Sequence, residues 1–305
     1  MSAESPGAAA TAGASAGVRS VRRLHPAIRH DIGDLVTRRP LPGPGIEMLD
    51  PFLFLNHHGP QFYPPNNRGL PFGPHPHRGF ETVTFILQGE LAHHDSGGHE
   101  SIIAAGGVQW MTAGRGLVHA ELSPERFERE GGPLEILQLW LNLPARLKRV
   151  PPRYRGLQAA EIPVLSADGG RAAVKLIAGS WDGRSGPVQP IFDVSMAVLE
   201  LAPGGQLRLP VAAARSVFLY LVRGTVVVAG TEVPPCHLME LNGDGDAVEI
   251  EGRSDAVLLF GHAEPFGEPV VAQGPFVMNT REEIIQAARD YRDGLFGADP
   301  PGAAR

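Results

Sequence analysis

One cysteine, Cys236, stands in 305 residues. That excludes an intrachain disulfide and suits a reducing, cytoplasmic compartment. Cys236 follows Pro234-Pro235 with no second cysteine nearby, so it reads as an inert thiol rather than a nucleophile. No run of 18 apolar residues occurs, which excludes a transmembrane helix as the organising element. No basic stretch offsets the formal net charge of -6, so direct binding of DNA or RNA is not expected. The stretch Ser2 to Gly17 is rich in Ala, Gly and Ser but has no basic segment before it, so it reads as a disordered tail (1–17) rather than a signal peptide.

Glycine and proline are plentiful, 38 and 29 residues, and favour many short strands joined by turns over long helices. The chain is 43% hydrophobic and long enough for two cores. Val18 to Arg39, with six arginines, reads as a solvated strand pair. Phe52 to Leu55 is a short apolar strand, and His57-His58 open a loop running to Pro74. Between Glu81 and Leu143, β-type runs alternate with turns about every ten residues, the pattern of a barrel or sandwich. Pro144 to Pro163 reads as a connection. A second block from Ala172 to Gly261 has similar strand lengths, which suggests a duplicated barrel unit. Thr280-Arg281-Glu282-Glu283 is a capping box opening a helix to about Tyr291, with Ile284, Ala287, Ala288 and Tyr291 on one face.

Chemistry concentrates between Gly73 and Glu121. Alternate residues of a strand share a face, so His75 pairs with His77 and His119 pairs with Glu121. If the two segments are neighbours, three imidazoles and a carboxylate meet, a set that admits Fe(II), Mn, Co, Ni, Cu or Zn. His57 and His58 point to opposite faces and make a poor chelating pair. His93, His94 and His99 form no His-x-His pair and read as peripheral or surface groups. His25 and His30 are isolated. The second block offers only His237 and His262, so a duplicated barrel there has lost its metal site. Phe80, Phe85, Trp110 and Met111 are candidates for an apolar pocket wall.

The stretch Gly73-Pro-His-Pro-His-Arg-Gly-Phe-Glu-Thr-Val83 resembles the cupin pattern His-x-His-x3-Glu. Together with Gln109-Trp-Met-Thr-Ala-Gly-Arg-Gly-Leu-Val-His-Ala-Glu121 and Gly274-Pro-Phe-Val-Met-Asn-Thr280, it resembles the pirin family more specifically, over about Val18 to Phe296. The resemblance implies an all-β bicupin: a metal-binding N-terminal barrel (18–145), a metal-free C-terminal barrel with a short helix (146–296) and a tail (297–305). It implies His75, His77, His119 and Glu121 as ligands, with iron the usual metal. Glu81, the carboxylate of the general cupin pattern, lies about 13 Å along an extended strand from His77 and is ranked as a structural group or one that supports the ligands rather than as a ligand.

Two functions follow from the resemblance. One is a metal-dependent dioxygenase that opens a flavonol such as quercetin with O2, Glu121 serving as both ligand and general base. The other is a redox-sensing regulator that docks on a partner protein such as a transcription factor, with Arg19 to Arg39 as the docking face.

Overall fold

The computed structural model describes residues 17–300, so most of the two expected tails lies outside the described residues. Strand dominates the regular structure and is arranged as two units, each made of a seven-stranded and a four-stranded antiparallel sheet, with two short two-stranded sheets besides, one of them Val271–Gln273 with Phe276–Met278. In the first unit the four-stranded sheet runs Phe72–His77, Leu117–Leu122, Glu90–Asp95, Glu100–Ala104. Its seven-stranded partner has Phe80–Gln88 and Gly132–Asn142 at its centre, flanked by Val108–Thr112 and Phe52–Tyr63.

The two seven-stranded sheets pack on each other. Val83, Phe85, Trp110, Leu137 and Leu139 of the first unit share one buried cluster with Met196, Val198, Phe218 and Leu259 of the second. Phe52 meets Phe218 across it with ring centroids 5.1 Å apart. Alternation therefore gives the central strands of the first unit two jobs. On Phe80–Gln88, the odd residues Val83 and Phe85 face the second unit. The even residues face the barrel interior, where Thr84 bonds Glu121.

The second barrel is filled. Leu199, Leu209, Leu219, Leu221, Val226, Val248, Ile250 and Leu258 pack in one aliphatic cluster. His237 and His262 lie outside it. His237 bonds the Pro235 carbonyl, and His262 accepts from Arg215 Nε at 2.7 Å. An interior closed by close-packed Leu and Val has no room for a metal and its substrate.

Several sequence expectations are revised by the pairing. His57 and His58 are not in a loop: the strand Phe52–Tyr63 continues through them, because both are buried and paired with Leu137 and Ile136. Val21–Pro26 does not lead into the first unit but pairs with His237–Leu241 of the second. Conversely, Arg153–Leu157, within the expected connection, pairs with Val108–Thr112 of the first. Strand membership thus crosses the 145/146 boundary in both directions.

The helix Arg281–Arg292 forms as its capping box predicts: Thr280 Oγ1 accepts from the Glu283 amide at 3.2 Å. It packs on the first unit, with Ile284 and Ala287 against Val118.

The arginines between 19 and 39 do not form one docking face. Arg19 is buried and donates to the Arg215 and Ala212 carbonyls, while Arg39 lies over Phe54 and donates to Asn56. They are split between two sheets and are largely occupied by their own fold.

Candidate metal centre

His75 and His119 are directly paired across the strands Phe72–His77 and Leu117–Leu122. His77 lies two residues on, on the same face. Ligand nitrogens of His75, His77 and His119 all fall within 4.8 Å of one another. The Nε2 atoms of His75 and His119 are 3.0 Å apart. Burial lowers the pKa of all three rings, and for His77 and His119 the neighbouring histidines lower it further. They are therefore neutral imidazoles, the form that ligates a metal.

Second contacts set the ring tautomers. His75 Nδ1 donates to the Gly73 carbonyl at 2.7 Å and His77 Nδ1 to the Pro275 carbonyl at 3.3 Å. A proton on Nδ1 leaves a lone pair on Nε2. His119 Nδ1 is buried without a partner. With His75 Nε2 an acceptor, His119 Nε2–H donates to it at 3.0 Å, a proton that a cation would displace to the unpartnered Nδ1; three neutral imidazoles converging in this way fit a divalent cation and suit the metal implied by the sequence pattern.

Glu121 is the next inward-facing residue on the strand of His119. A register shift separates the two, so Glu121 pairs with Phe72 rather than with Gly73. Its carboxylate is not within the histidine cluster. Oε1 accepts from Thr84 Oγ1 at 3.0 Å, and Oε2 accepts a short hydrogen bond from Gln138. Burial pushes its pKa up to about 7 against the pull of these two donors. Glu81 shares the parity of Val83 and Phe85 and faces the second unit, away from the histidines. There it accepts from Thr112 Oγ1 at 2.5 Å.

The wall is aromatic. Phe80 and Trp140 sit edge-on to His77, at 4.9 and 5.3 Å, and Phe54 stacks on Trp140 at 4.6 Å. Met111 is also on the first unit's side, buried with Leu117 against Tyr154. Phe85 and Trp110, by contrast, belong to the core between the two units and cannot line this site. The reason is strand parity, which the spacing of Phe80 and Phe85 already carried.

Sequence reading missed His93. Its ring stacks on Tyr154 at 4.1 Å and lies 5.5 Å from that of His119. Its Nε2 is 3.1 Å from Asp95 Oδ2. The signal is present as His93-x-Asp95, an alternate-residue pair of the same His-x-carboxylate form as His119-x-Glu121. His94 lies on the other face, 3.6 Å from Glu100, and His99 bonds Asp95 at the strand end.

His57 and His58 do split between faces. His58 points into the first unit, with Nδ1 2.8 Å from Thr37 Oγ1 and its ring beside Phe72. His57 points to the interface, between Tyr220 Oη at 2.9 Å and Glu135 Oε1 at 3.1 Å. Cys236 is not without a partner. Burial raises the pKa of its thiol, but hydrogen bonds to His57 and Tyr220 and the charge of Arg38 bring it below the ordinary value.

Two stacked barrels, one holding a histidine triad and the other filled with aliphatic side chains, define a bicupin. The chain belongs to the pirin family: the pattern described as Pirin matches residues 34–141 and that described as Pirin C-terminal cupin domain matches 196–297. It is 39% identical to human pirin over 269 residues, covering 85% of this chain and 87% of that protein. It is 40% identical to a pirin-like protein of Caulobacter vibrioides over 260 residues, 85% and 91% of the respective chains. The solved structure of quercetin 2,3-dioxygenase from Acinetobacter baumannii superposes with a TM-score of 0.86 at 32% identity, over 92% of this chain and 99% of that one. No helix among the described residues is long and apolar enough to cross a membrane.

Proposed function

We propose that the first barrel holds one divalent metal, Fe(II) foremost, on His75, His77 and His119, and that the protein is a dioxygenase opening a flavonol such as quercetin with O2. The observation that carries this reading is the convergence of three neutral imidazoles beside a buried carboxylate and an aromatic wall. The likeness to the Acinetobacter quercetin 2,3-dioxygenase supports the substrate class. The metal, when bound, supplies charge stabilisation and redox access between a phenolate and O2.

The chain's own residues do the rest. Glu121 is assigned as the carboxylate that completes the ligand set and accepts the substrate hydroxyl proton at a carboxylate oxygen. Thr84 and Gln138 orient that carboxylate through their hydrogen bonds. Phe80 and Trp140 present ring surface to a flat aromatic substrate and keep water from the histidine face.

The test is oxygen uptake by Fe(II)-reconstituted protein with quercetin. The proposal expects one O2 consumed and one carbon monoxide released per flavonol. Metal-replete protein that consumes no O2 with flavonols contradicts it and favours the redox-sensing role.

A further inference from the structure

The C-terminal segment reaches the histidine triad. His77 is the one triad residue whose orienting partner comes from a distant segment, the Pro275 carbonyl, 198 positions away. That carbonyl is itself held in place. The Arg78 and Val277 backbones bond each other and Pro275, through Arg78 N to Pro275 O at 3.3 Å and Val277 N to Arg78 O at 3.0 Å. Gly79 has φ +88°, and a Cβ there would collide with the Val277 carbonyl, so the two segments are at closest approach.

Two buried cations fix the contact. Lys148 is 1% exposed, and its ammonium donates to the Gly79 carbonyl at 2.8 Å, to Asn142 Oδ1 at 2.6 Å and to the Val277 carbonyl at 3.1 Å. All three of its protons are used, and they tie the turn after His77 to the strand Phe276–Met278. Arg78 donates to Asp290 of the helix at 2.6 Å and to the Arg115 carbonyl at 2.6 Å, and lies 4.6 Å over the Phe296 ring. The other ligand strand is braced as well. Ser96 Oγ donates to the Phe296 carbonyl at 2.6 Å and accepts from the Val118 amide at 3.1 Å, next to His119.

We propose that residues 275–297 are a positioning element for the metal site, in which the Pro275 carbonyl, held by Lys148 and by the Arg78–Asp290 pair, fixes the tautomer and rotamer of His77. The proposal rests on the reading of His75, His77 and His119 as metal ligands. The segment that follows the second barrel, with the strand Phe276–Met278 and the helix Arg281–Arg292, would then contribute to metal affinity in the first. Groups that orient a ligand histidine typically change metal affinity about 10- to 100-fold when removed.

The experiment uses the full chain with Lys148→Met and, since burial makes that change the harsher one, Asp290→Asn as a second variant. Anaerobic Fe(II) titration gives affinity, and long-range proton–nitrogen spectra of the histidine rings in the metal-free protein give the tautomer of His77. The expected result is an affinity at least about tenfold weaker in either variant, with His77 no longer confined to the Nδ1–H form although the protein stays folded. A purely structural role would lower the unfolding temperature and leave both readouts unchanged, which would overturn the proposal. Wild-type protein that takes up no Fe(II) would overturn the metal reading and the proposal as stated. The ring spectra distinguish that case, because the Pro275 contact is then seen or missed without metal.

Discussion

The Nε2 atoms of His75 and His119 face each other at 3.0 Å across paired strands. Because Nδ1 of His75 is committed to the Gly73 carbonyl, its Nε2 offers a lone pair. A bound cation gives that lone pair and its neighbours a shared partner. Folded protein should therefore be stabilised by metal. At a free Fe(II) concentration of 100 times Kd the gain is about 2.7 kcal/mol. Differential scanning calorimetry under anaerobic conditions should show a higher midpoint with Fe(II), reversed by a chelator and absent in His119→Ala.

Glu121 and Glu81 give opposite expectations because they lie on opposite faces. Glu121→Gln should abolish or strongly weaken metal binding, whereas Glu81→Gln should leave it near the wild-type value. The reverse pattern in a titration would move the carboxylate ligand to Glu81 and contradict the assignment.

Glu81 also has a pH signature. Burial raises its pKa from 4.5 to about 7, against the pull of the Thr112 hydrogen bond. The folded protein then holds a proton that the unfolded chain has released, so stability falls as pH rises from about 4.5 to about 7. The loss attributable to this residue is on the order of 3 kcal/mol. Glu81→Gln should remove it: the variant gains relative to wild type at pH 8, and the difference shrinks toward pH 4.5. Urea unfolding of both proteins across that range tests the sign.

Phe85→Ala should cost about 3–5 kcal/mol, because it empties a fully buried position between the two units. It should leave Fe(II) affinity unchanged. Trp140→Ala should instead alter substrate affinity, since Trp140 lies 5.3 Å from His77. Thermal melts with parallel metal titrations separate the two.

The thiol of Cys236 is partly accessible and its pKa is lowered by His57 and Tyr220 against the effect of burial. It should alkylate with iodoacetamide at pH 7 faster than an unperturbed cysteine. His57→Gln should slow the reaction, and an unchanged rate would remove His57 from that role.

Much of this was legible in the chain. Strand parity alone placed His75 with His77, and the Thr280 box located the helix that runs to Arg292. What was not legible depends on long-range pairing. Nothing local tells that Val21–Pro26 joins the second sheet or that Arg153–Leu157 joins the first, because each is an edge strand whose partner is set by the packing of whole units. The same holds for the Pro275 carbonyl at His77. Phe85 and Trp110 were placed in the pocket because hydrophobicity does not say which of two buried faces a residue serves, whereas counting parity from Thr84 does. The register shift after His119 and the hydrogen bonds of Thr84 and Gln138 to the Glu121 carboxylate were not legible either, because both depend on how the strands pair.

Whether His75, His77 and His119 hold a metal is decided by anaerobic titration of metal-free protein with Fe(II), followed by metal analysis after gel filtration. About one ion should be retained per chain and none in the His75→Ala/His119→Ala double variant. Retention by the double variant, or none by the wild type, would contradict that assignment.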